Sequence, residues 1–334
     1  MKNIIGANKP PLAPEVKLVT VDEDGAGQRL DNFLMRHLKG VPKTHVYRII
    51  RSGEVRINKG RAAADTRLAE GDVVRLPPVR TSERATEKAE AMAEAVHAAP
   101  AREFPVIFED DHLLAIDKPA GVAVHGGSGV SFGVIEQLRI ARPGAKFLEL
   151  VHRLDRETSG ILLIAKKRSA LTRLQDQFRE RETGKTYLAL VQGAWPANKK
   201  VLDKPLHKYL LPDGERRVKV VARDDPDGMR SLSLVKVRQK LAGYSLLEVT
   251  IKTGRTHQIR VHLASEGHGI VGDDKYGDFE LNKALQKQGL KRMFLHAWHL
   301  TLNHPGTGEP MALDAPLPQE LQAFMDAQPG VGAN

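Results

Sequence analysis

The sequence predicts an α+β protein of two folded parts, a small α+β module and a larger domain built on a mixed, mainly antiparallel β-sheet with peripheral helices. The chain has 334 residues, which at about 150 residues per domain corresponds to roughly two domains. Strand-like segments outnumber helical ones in the second part without a regular strand–helix–strand rhythm, so a doubly wound parallel fold is not expected. Residues 80–103 are rich in Ala and Glu and carry no large apolar stripe, so we predict a linker there.

The small module is predicted at 16–79, after a Pro-rich, aperiodic stretch at 1–15 that we expect to be a disordered tail. Helices are predicted where apolar residues recur at helical spacing, and strands where short apolar segments lie near turn glycines. In chain order the predicted elements are two helices and two strands, at residues 28–38, 44–52, 55–57 and 72–76. Gly53 directly follows the second helix, where glycine is a favourable stop.

The larger domain is predicted at 104–325, followed by a tail at 326–334. Its predicted strands are the apolar segments at 106–108, 113–117, 147–152, 161–165, 186–191, 233–238 and 246–252. In the last of these, large apolar residues alternate with polar ones, which indicates a strand with one buried face. The clearest helix is predicted at 169–181, where Ser169 is in position to serve as its N-cap.

The charge of the chain favours a polyanionic partner such as nucleic acid. Lys and Arg number 51 and Asp and Glu number 41, a formal net charge of +10. Residues 28–67 of the small module contain ten basic and three acidic residues, so this stretch is strongly basic. Arg48 and Arg51 are three residues apart and share one helix face, opposite the apolar residues. Together with Lys43 they predict a surface that binds RNA phosphates, although a merely solvated face would carry similar residues.

Several classes of protein are excluded or disfavoured by what the sequence lacks. It contains no Cys, which excludes disulfides, thiolate nucleophiles, iron–sulfur clusters and cysteine zinc sites. The first residues contain no apolar run long enough for a signal peptide, and no later stretch approaches the length of a membrane span. We therefore expect a cytoplasmic protein that does not act at a membrane.

A run of polar and charged residues at 152–160 lies between two apolar segments, which predicts a loop positioned by a rigid sheet. Asp155 has Arg153 and Arg156 as close neighbours, so we expect its carboxylate to be ionised. Such an anion suits general acid–base or nucleophilic chemistry. The same spacing also fits a turn of ion-paired charges, and the residue pattern alone leaves both interpretations open.

Five short strings follow one another in the larger part of the chain: Asp117-Lys118-Pro119-Ala120-Gly121, Val124-His125, residues 152–160, Lys185-Thr186-Tyr187 and residues 253–262. Together they resemble the pseudouridine synthases of the family typified by the bacterial ribosomal and transfer RNA uridine isomerases. Three strings of the small module resemble the S4-type RNA-binding domain: Gln28-Arg29-Leu30-Asp31, residues 46–57 and Glu70-Gly71-Asp72. The resemblance extends from residue 16 to about residue 325.

The resemblance implies an enzyme that isomerises uridine to pseudouridine in RNA without a metal or other cofactor. The N1 glycosidic bond is cut, the uracil turns, and C5 is joined to the same ribose carbon. Asp155 matches the family's catalytic aspartate, which could attack the ribose C1′ or the base, or remove a ribose proton. Arg260 matches the basic residue expected to be its bidentate partner, and Tyr187 matches the tyrosine that stacks on the target base.

The resemblance also implies that the target base is everted from the folded RNA into the active site. Arg153 is then a candidate to fill the vacated place in the base stack. The other predicted substrate-binding residues belong to the matching strings and to the basic module: Lys118, His125, Arg255, His257, Lys43, Arg48 and Arg51. The expected partner is ribosomal RNA, 23S rRNA or its precursor particles, bound by a monomer.

Three other functions fit parts of the sequence. A metal hydrolase would use His257 and His262, but their spacing of five residues is not that of a helical zinc pair. A phosphate-binding loop would use the glycine-rich residues 126–129, which lack the Gly-Lys-Ser/Thr that should follow. A non-catalytic RNA-binding or ribosome-assembly factor on a synthase fold would carry the same motifs and would differ in lacking turnover.

Overall fold

The computed structural model describes residues 15–22, 25–38, 41–79, 100–126 and 132–329. The chain forms two compact units, Met1–Ala98 and Ala99–Asn334. Four stretches of the predicted tails, linker and glycine-rich loop lie outside the described residues: 1–14, 80–99, 127–129 and 330–334. The domain limits of the sequence analysis therefore stay predictions.

The first unit is a three-stranded antiparallel sheet packed against two helices. Its elements, in chain order, are β1 Lys17–Thr20, α1 Leu30–His37, α2 Lys43–Arg51, β2 Arg56–Ile57 and β3 Val73–Leu76. Strand β3 lies between β1 and β2. Leu30, Leu34, Ile49 and Val74 are buried together, so the apolar periods that predicted the helices also form the core of this unit.

Helix α2 presents a basic face away from that core. Its apolar residues are buried, whereas Lys43, Arg48 and Arg51 are exposed. The prediction that the arginines and the apolar residues occupy opposite faces is confirmed. Within the described part of the chain no carboxylate pairs with these three cations. An anionic group of a ligand can therefore reach all of them.

The second unit is built on a mixed sheet. Its strands are β4 Val106–Glu109, β5 Leu113–Lys118, β6 Glu149–Leu150, β7 Ser159–Ala165, β8 Gly184–Gln192, β9 Val201–Asp203, β10 Leu206–Leu210, β11 Arg216–Val220, β12 Leu232–Leu241, β13 Tyr244–Ile251, β14 Leu295–Asn303 and β15 Pro310–Asp314. Ten of them form one sheet in the order β4-β5-β7-β14-β8-β13-β12-β9, with β6 paired to β7 and β15 paired to β14. Strands β7 and β14 are parallel and the other pairs are antiparallel. The predicted fold class is confirmed.

Helices cover this sheet. In the described part of the unit they are α3 Val134–Ala141, α4 Arg168–Glu180, α5 Gln258–Ala264, α6 Phe279–Lys287 and α7 Gln319–Asp326. Strands β10 and β11 form a separate antiparallel hairpin. Among the described helices, none is long and apolar enough to cross a lipid bilayer.

Strand β7 is buried on both faces and lies between two apolar clusters. Ile161 and Leu163 contribute to the cluster that includes α4, whereas Leu162 and Ile164 contribute to the cluster that includes α3. Burial on both faces explains why this strand reads as a continuous apolar run. The loop before β7 therefore ends at a rigid strand, which is a favourable place for a positioned side chain.

The structure corrects two local predictions. Of the predicted strand at 147–152, only Glu149–Leu150 pairs with a neighbour, because the chain then leaves the sheet to form the loop before β7. Helix α4 begins at Arg168, after the extended residue Lys167, so Ser169 lies inside the helix and does not cap it. The apolar patterns of the sequence predicted the type and the approximate position of both elements, but not the residues at which they begin or end.

Gly160 makes the parallel contact between β7 and β14 possible. Its φ is +107°, a conformation that favours glycine. A Cβ at this position would lie 2.2 Å from the carbonyl oxygen of Ala297. The close approach of the two backbones therefore depends on the missing side chain.

We expect Gly160→Ala to lower the free energy of unfolding by about 2–4 kcal/mol, because the new methyl group adds backbone strain and steric overlap. Urea denaturation of both proteins measures this difference. Gly144→Ala is the matched control, since a Cβ there meets nothing within 4 Å. Equal stability of the two variants would contradict the close approach.

Candidate active site

The predicted catalytic residues lie on or next to the central strands of the sheet. Gly160 of β7 pairs with Ala297 of β14, and Ala297 pairs in turn with Tyr187 of β8. Neighbouring strands are about 4.8 Å apart, so Tyr187 lies roughly 10 Å across the sheet from β7. Asp155 is in the loop that precedes β7, and Arg260 is in α5, which follows β13 on the other side of β8.

The buried amine of Lys118 fixes the backbone of the Asp155 loop. It donates hydrogen bonds to the carbonyl oxygens of Pro119, Val122 and Arg156 at 2.8, 2.8 and 3.1 Å. Burial lowers the pKa of Lys118 to about 7. The prediction that Lys118 contacts RNA is wrong, because its side chain is fully buried and joins two segments of the protein instead.

A second buried network lies at the start of β7. Arg292 donates to the Ser159 hydroxyl at 2.8 Å, and this hydroxyl lies 2.8 Å from Nδ1 of His296. Nε2 of His296 lies 3.2 Å from the carbonyl oxygen of Ala315. Because a carbonyl oxygen can only accept, Nε2 carries the imidazole proton and Nδ1 accepts from Ser159. Burial lowers the pKa of His296 to about 4, which keeps this ring neutral.

The carboxylate of Asp155 has one oriented oxygen and one open oxygen. Its Oδ2 atom accepts a hydrogen bond from Arg260 at 3.3 Å and lies 3.8 Å from Nε2 of His257. Within the described residues, no hydrogen-bond donor contacts Oδ1. The side chain is 29% exposed, so this anion reaches solvent at the mouth of a cleft.

The guanidinium of Arg260 is shared between two carboxylates. Its Nε and one terminal nitrogen donate to the two oxygens of Asp273, each at 2.7 Å, and the other terminal nitrogen contacts Asp155. The bidentate partner of Arg260 is therefore Asp273, not Asp155 as the sequence analysis expected. Arg260 is 4% exposed and the Asp273 side chain is fully buried, so the pair is shielded from water.

Both members of the buried pair, Arg260 and Asp273, are charged. Burial by itself would lower the pKa of Arg260, but the carboxylates of Asp273 and Asp155 outweigh it and raise that pKa. Burial would likewise raise the pKa of Asp273, and the hydrogen bonds from Arg260 outweigh it and lower that pKa. Arg260 therefore presents a permanent positive charge to Asp155.

His257 forms a second contact to Asp155. It begins α5 with φ of +52°, a left-handed conformation that is uncommon for a residue with a side chain. Its Nδ1 lies 2.9 Å from the hydroxyl of Tyr276, which accepts from the backbone N–H of Val218. The Tyr276 hydroxyl can donate to Nδ1, and in that arrangement the imidazole proton is on Nε2, the nitrogen that faces Asp155.

Tyr187 lines the cleft beside Asp155. Its ring is half-buried between the two apolar clusters on either side of β8. Burial and the negative charge of Asp155 both raise the pKa of Tyr187, so the phenol keeps its proton. Its hydroxyl has no hydrogen-bond partner among the residues described, and it is therefore open to a bound ligand.

Asp155, Tyr187 and Arg260 line one open cleft of about 100 Å³. Of the other predicted substrate-binding residues, Arg153, Arg255 and His257 line the same cleft. His125 is exposed and lines an adjoining cavity that also contains Asp155. Lys43, Arg48 and Arg51 belong to the first unit.

His262 and Gly126, the described residues that distinguish the two alternative chemistries, are bound by other groups of the protein. The two nitrogens of His262 are 3.0 Å from the Ser233 hydroxyl and the Lys204 carbonyl oxygen, so this imidazole is engaged away from His257. The backbone N–H of Gly126 donates to a carboxylate of the protein, Glu136, at 3.1 Å. Both groups therefore have structural partners.

Two residues of the site were missed in the sequence. Asp273 and Tyr276 bind Arg260 and His257, and both lie in the polar segment at 272–277. This segment directly follows the buried residues 270–271. The same change from apolar to polar residues identified the loop of Asp155. It is the sequence feature that could have identified Asp273 and Tyr276.

We expect Asp273→Asn to lower the free energy of unfolding by about 3 kcal/mol at neutral pH, because it leaves a buried guanidinium without its carboxylate. The pKa of Asp273 is lower in the folded protein than the value near 3.9 of an unfolded chain. Its contribution is therefore complete above about pH 5 and is lost as the pH falls below about 4. Denaturant titrations from pH 3 to pH 7 should show the difference between the proteins shrinking at low pH.

Asp274→Asn is the control for this experiment. Asp274 lies 3.5 Å from the same guanidinium but is 73% exposed, so its loss should change stability by less than about 1 kcal/mol. Similar losses in the two variants would contradict the assignment of Asp273 as the dominant partner.

Comparison with known proteins identifies the two units. The S4 domain family matches residues 28–74, and the RNA pseudouridylate synthase family matches residues 112–265. A protein of Yersinia pestis named ribosomal large subunit pseudouridine synthase C is 52% identical, over 92% of this chain and 94% of its own. The protein of the same name from Escherichia coli K12 is 51% identical, over 92% of this chain and 95% of its own.

Solved structures agree with this comparison. Human RNA pseudouridylate synthase domain containing 4 has a TM-score of 0.55 and 26% identity, covering 72% of this chain and 97% of that chain. Human RNA pseudouridylate synthase domain containing 1, at 24% identity and a TM-score of 0.57, covers 71% of this chain and 93% of its own and shares the fold. With relatives of about 50% identity along most of its length, the chain belongs to the RNA pseudouridylate synthase family and is an RNA pseudouridine synthase with an S4 domain.

Proposed function

We propose that this synthase isomerises specific uridines in the RNA of the large ribosomal subunit, 23S rRNA or its precursor particles. One observation carries the choice of substrate: relatives named for the large subunit match the chain at 49% to 52% identity over 92% to 93% of its length. The matched length includes the S4 module as well as the synthase domain. Both parts that would contact RNA are therefore common to these relatives.

In this proposal, residues 16–79 form the RNA-binding domain and residues 104–325 the catalytic domain. The exposed cations of α2, Lys43, Arg48 and Arg51, bind phosphates of the RNA. The protein acts in the cytoplasm as a monomer. Asp155, Tyr187 and Arg260 line one cleft of a single chain, so the proposed site is complete without a second copy.

Asp155 starts the reaction with its open oxygen. The N1–C1′ bond of the uridine breaks, the uracil turns, a C5–C1′ bond forms, and C5 loses a proton while N1 gains one. Oδ1 of Asp155 is the exposed anionic atom, and it is the atom that would attack C1′ or the base, or take a ribose proton. Arg260 and His257 orient the carboxylate through its other oxygen, Oδ2.

Tyr187 and Arg153 position the base. The half-buried ring of Tyr187 offers a surface for stacking against the everted uracil, and its protonated hydroxyl is free to bind the base edge. Arg153 is exposed at the rim of the cleft. Its guanidinium is planar and can stack where the uracil was removed. His125 and Arg255 are placed to bind the neighbouring nucleotides.

We expect Asp155→Asn to lower the rate of pseudouridine formation by at least about 10³-fold and to leave RNA affinity within a few-fold, because the reacting oxygen is lost and the shape is kept. Single-turnover assays on a large-subunit rRNA fragment measure the rate, and filter binding measures the affinity. Glu157→Gln, in the same loop, is the control and should retain activity. Undiminished isomerisation by Asp155→Asn would refute the catalytic role.

The substrate is tested by mapping pseudouridines in the ribosomal RNA of a strain that lacks this protein. The mapped sites should disappear from 23S rRNA and return with the unaltered gene but not with the Asp155→Asn gene. An unchanged map would refute the proposed substrate. Return of the sites with Asp155→Asn would instead assign the modification to another enzyme and favour an assembly factor.

Arg153→Ala is expected to reduce kcat over KM by about 10-fold or more while the melting temperature stays unchanged, since the side chain is exposed and fills the vacated stack. Substrates that carry the target uridine in an unstructured single strand should be less affected, because no stack needs to be filled. Equal losses on both substrates would contradict this role.

A further inference from the structure

A second groove opens beside the active-site cleft, and its charge differs from that of the other cavities. Its volume is about 490 Å³, and it shares Arg153, Tyr187 and Arg255 with the cleft. It lies between the end of α4, the start of β8 and the end of β13. The groove is therefore continuous with the place where a target nucleotide would be bound.

The lining of this groove is basic and contains no acid. Its cations are Arg153, Arg179, Arg181, Lys185, Lys252 and Arg255, and none of its described lining residues is Asp or Glu. The adjoining cavity that contains His125 also has Asp155, Glu157 and Asp274 in its lining. Several positive charges without internal compensation repel one another, and an anionic ligand relieves that repulsion.

Most of these cations have no carboxylate partner among the described residues. Arg179 is the exception, since it pairs with Asp176 at 2.6 Å. Lys185 and Lys252 lie close enough that their charges repel, and burial with this repulsion lowers the pKa of Lys185. Arg181 and Lys252 are both exposed and both line the groove, so both can reach a ligand inside it.

Phe178, the aromatic residue that α4 contributes to the groove, already packs against other side chains. One face of Phe178 is stacked on His152, with ring centroids 5.0 Å apart and planes inclined by 17°. The Lys185 amine lies 4.9 Å from the same ring. Phe178 is therefore engaged within the protein, so the part of the groove outside the active-site cleft offers mainly cations that suit a phosphate backbone.

We propose that this groove binds the phosphodiester backbone of the single-stranded RNA segment next to the everted uridine. The inference rests on the proposed function, because it takes the substrate to be RNA bound at the adjoining cleft. It adds a path for the flanking strand, from the cleft between Arg153 and Arg255 outward between Arg181 and Lys252. Recognition there is by phosphate charge and is independent of base sequence.

The test is a double variant, Arg181→Glu with Lys252→Glu, compared with Lys283→Glu and Lys287→Glu on the exposed face of α6. Both variants change the net charge equally, and all four side chains are exposed. The groove variant should bind a large-subunit rRNA fragment at least about 10-fold more weakly than the α6 variant. Its log–log salt slope should be smaller by about 1 to 2, and kcat at saturating RNA should stay within about 2-fold.

Neutral phosphates locate the contact on the RNA. Single methylphosphonates placed on the flanking nucleotides should weaken RNA binding by the unaltered protein at one or two positions. At those positions they should leave the RNA affinity of the groove variant unchanged. Arg181→Gln with Lys252→Gln should give an intermediate loss. Equal affinity of the groove and α6 variants, or methylphosphonate effects that persist in the groove variant, would overturn the proposal.

The two proposals fail in different ways. Absence of isomerisation by the unaltered protein on ribosomal RNA would refute the proposed function, whatever the groove binds. Normal isomerisation with unchanged affinity and salt slope in the groove variant would refute the groove alone. Melting temperatures equal to that of the unaltered protein exclude misfolding as the cause of a loss.

Discussion

The site depends on one buried guanidinium that two carboxylates share. Arg260 is bound on one side by both oxygens of Asp273, and the nitrogen left over contacts Asp155 at the mouth of the cleft. A buried ion pair adds little net stability, because desolvation offsets most of the attraction. Its value here is positional: the Asp273 pair fixes the guanidinium plane, and the plane fixes the direction from which Asp155 is bound.

The sheet supplies the rest of the geometry. The row from Gly160 through Ala297 to Tyr187 crosses three strands, and only a glycine permits the parallel contact at its start. Two buried networks, around Lys118 and around Arg292, then fix the loop just after Asp155, at Arg156 and at Ser159. The reacting carboxylate is consequently exposed although the backbone that carries it is anchored below the surface, which is how a loop can present a side chain with precision.

Among the described residues that line the active-site cleft, Asp155 is the single acid, beside Arg153, Arg255 and Arg260. Asp155 faces Arg260 and His257 in a cleft that continues into a groove whose described lining has no acidic residue. A polyanionic substrate is attracted to this surface as a whole, while the carboxylate is directed at a single nucleotide. The first unit adds its own basic helix face, so both units share the positive character of the chain.

The sequence by itself determined the fold class and the basic face of α2, and it predicted that Asp155, Tyr187 and Arg260 belong to one site, as their shared cleft shows. Apolar periodicity indicates which face of a helix or strand is buried. The resemblance of the five strings to the synthase family indicated the site residues. The sequence did not reveal that Asp273 is the bidentate partner of Arg260, or that Lys118 is buried. Those contacts join residues 13 and 38 positions apart, and only packing of the loops against the sheet decides which charges meet and which ones water can reach.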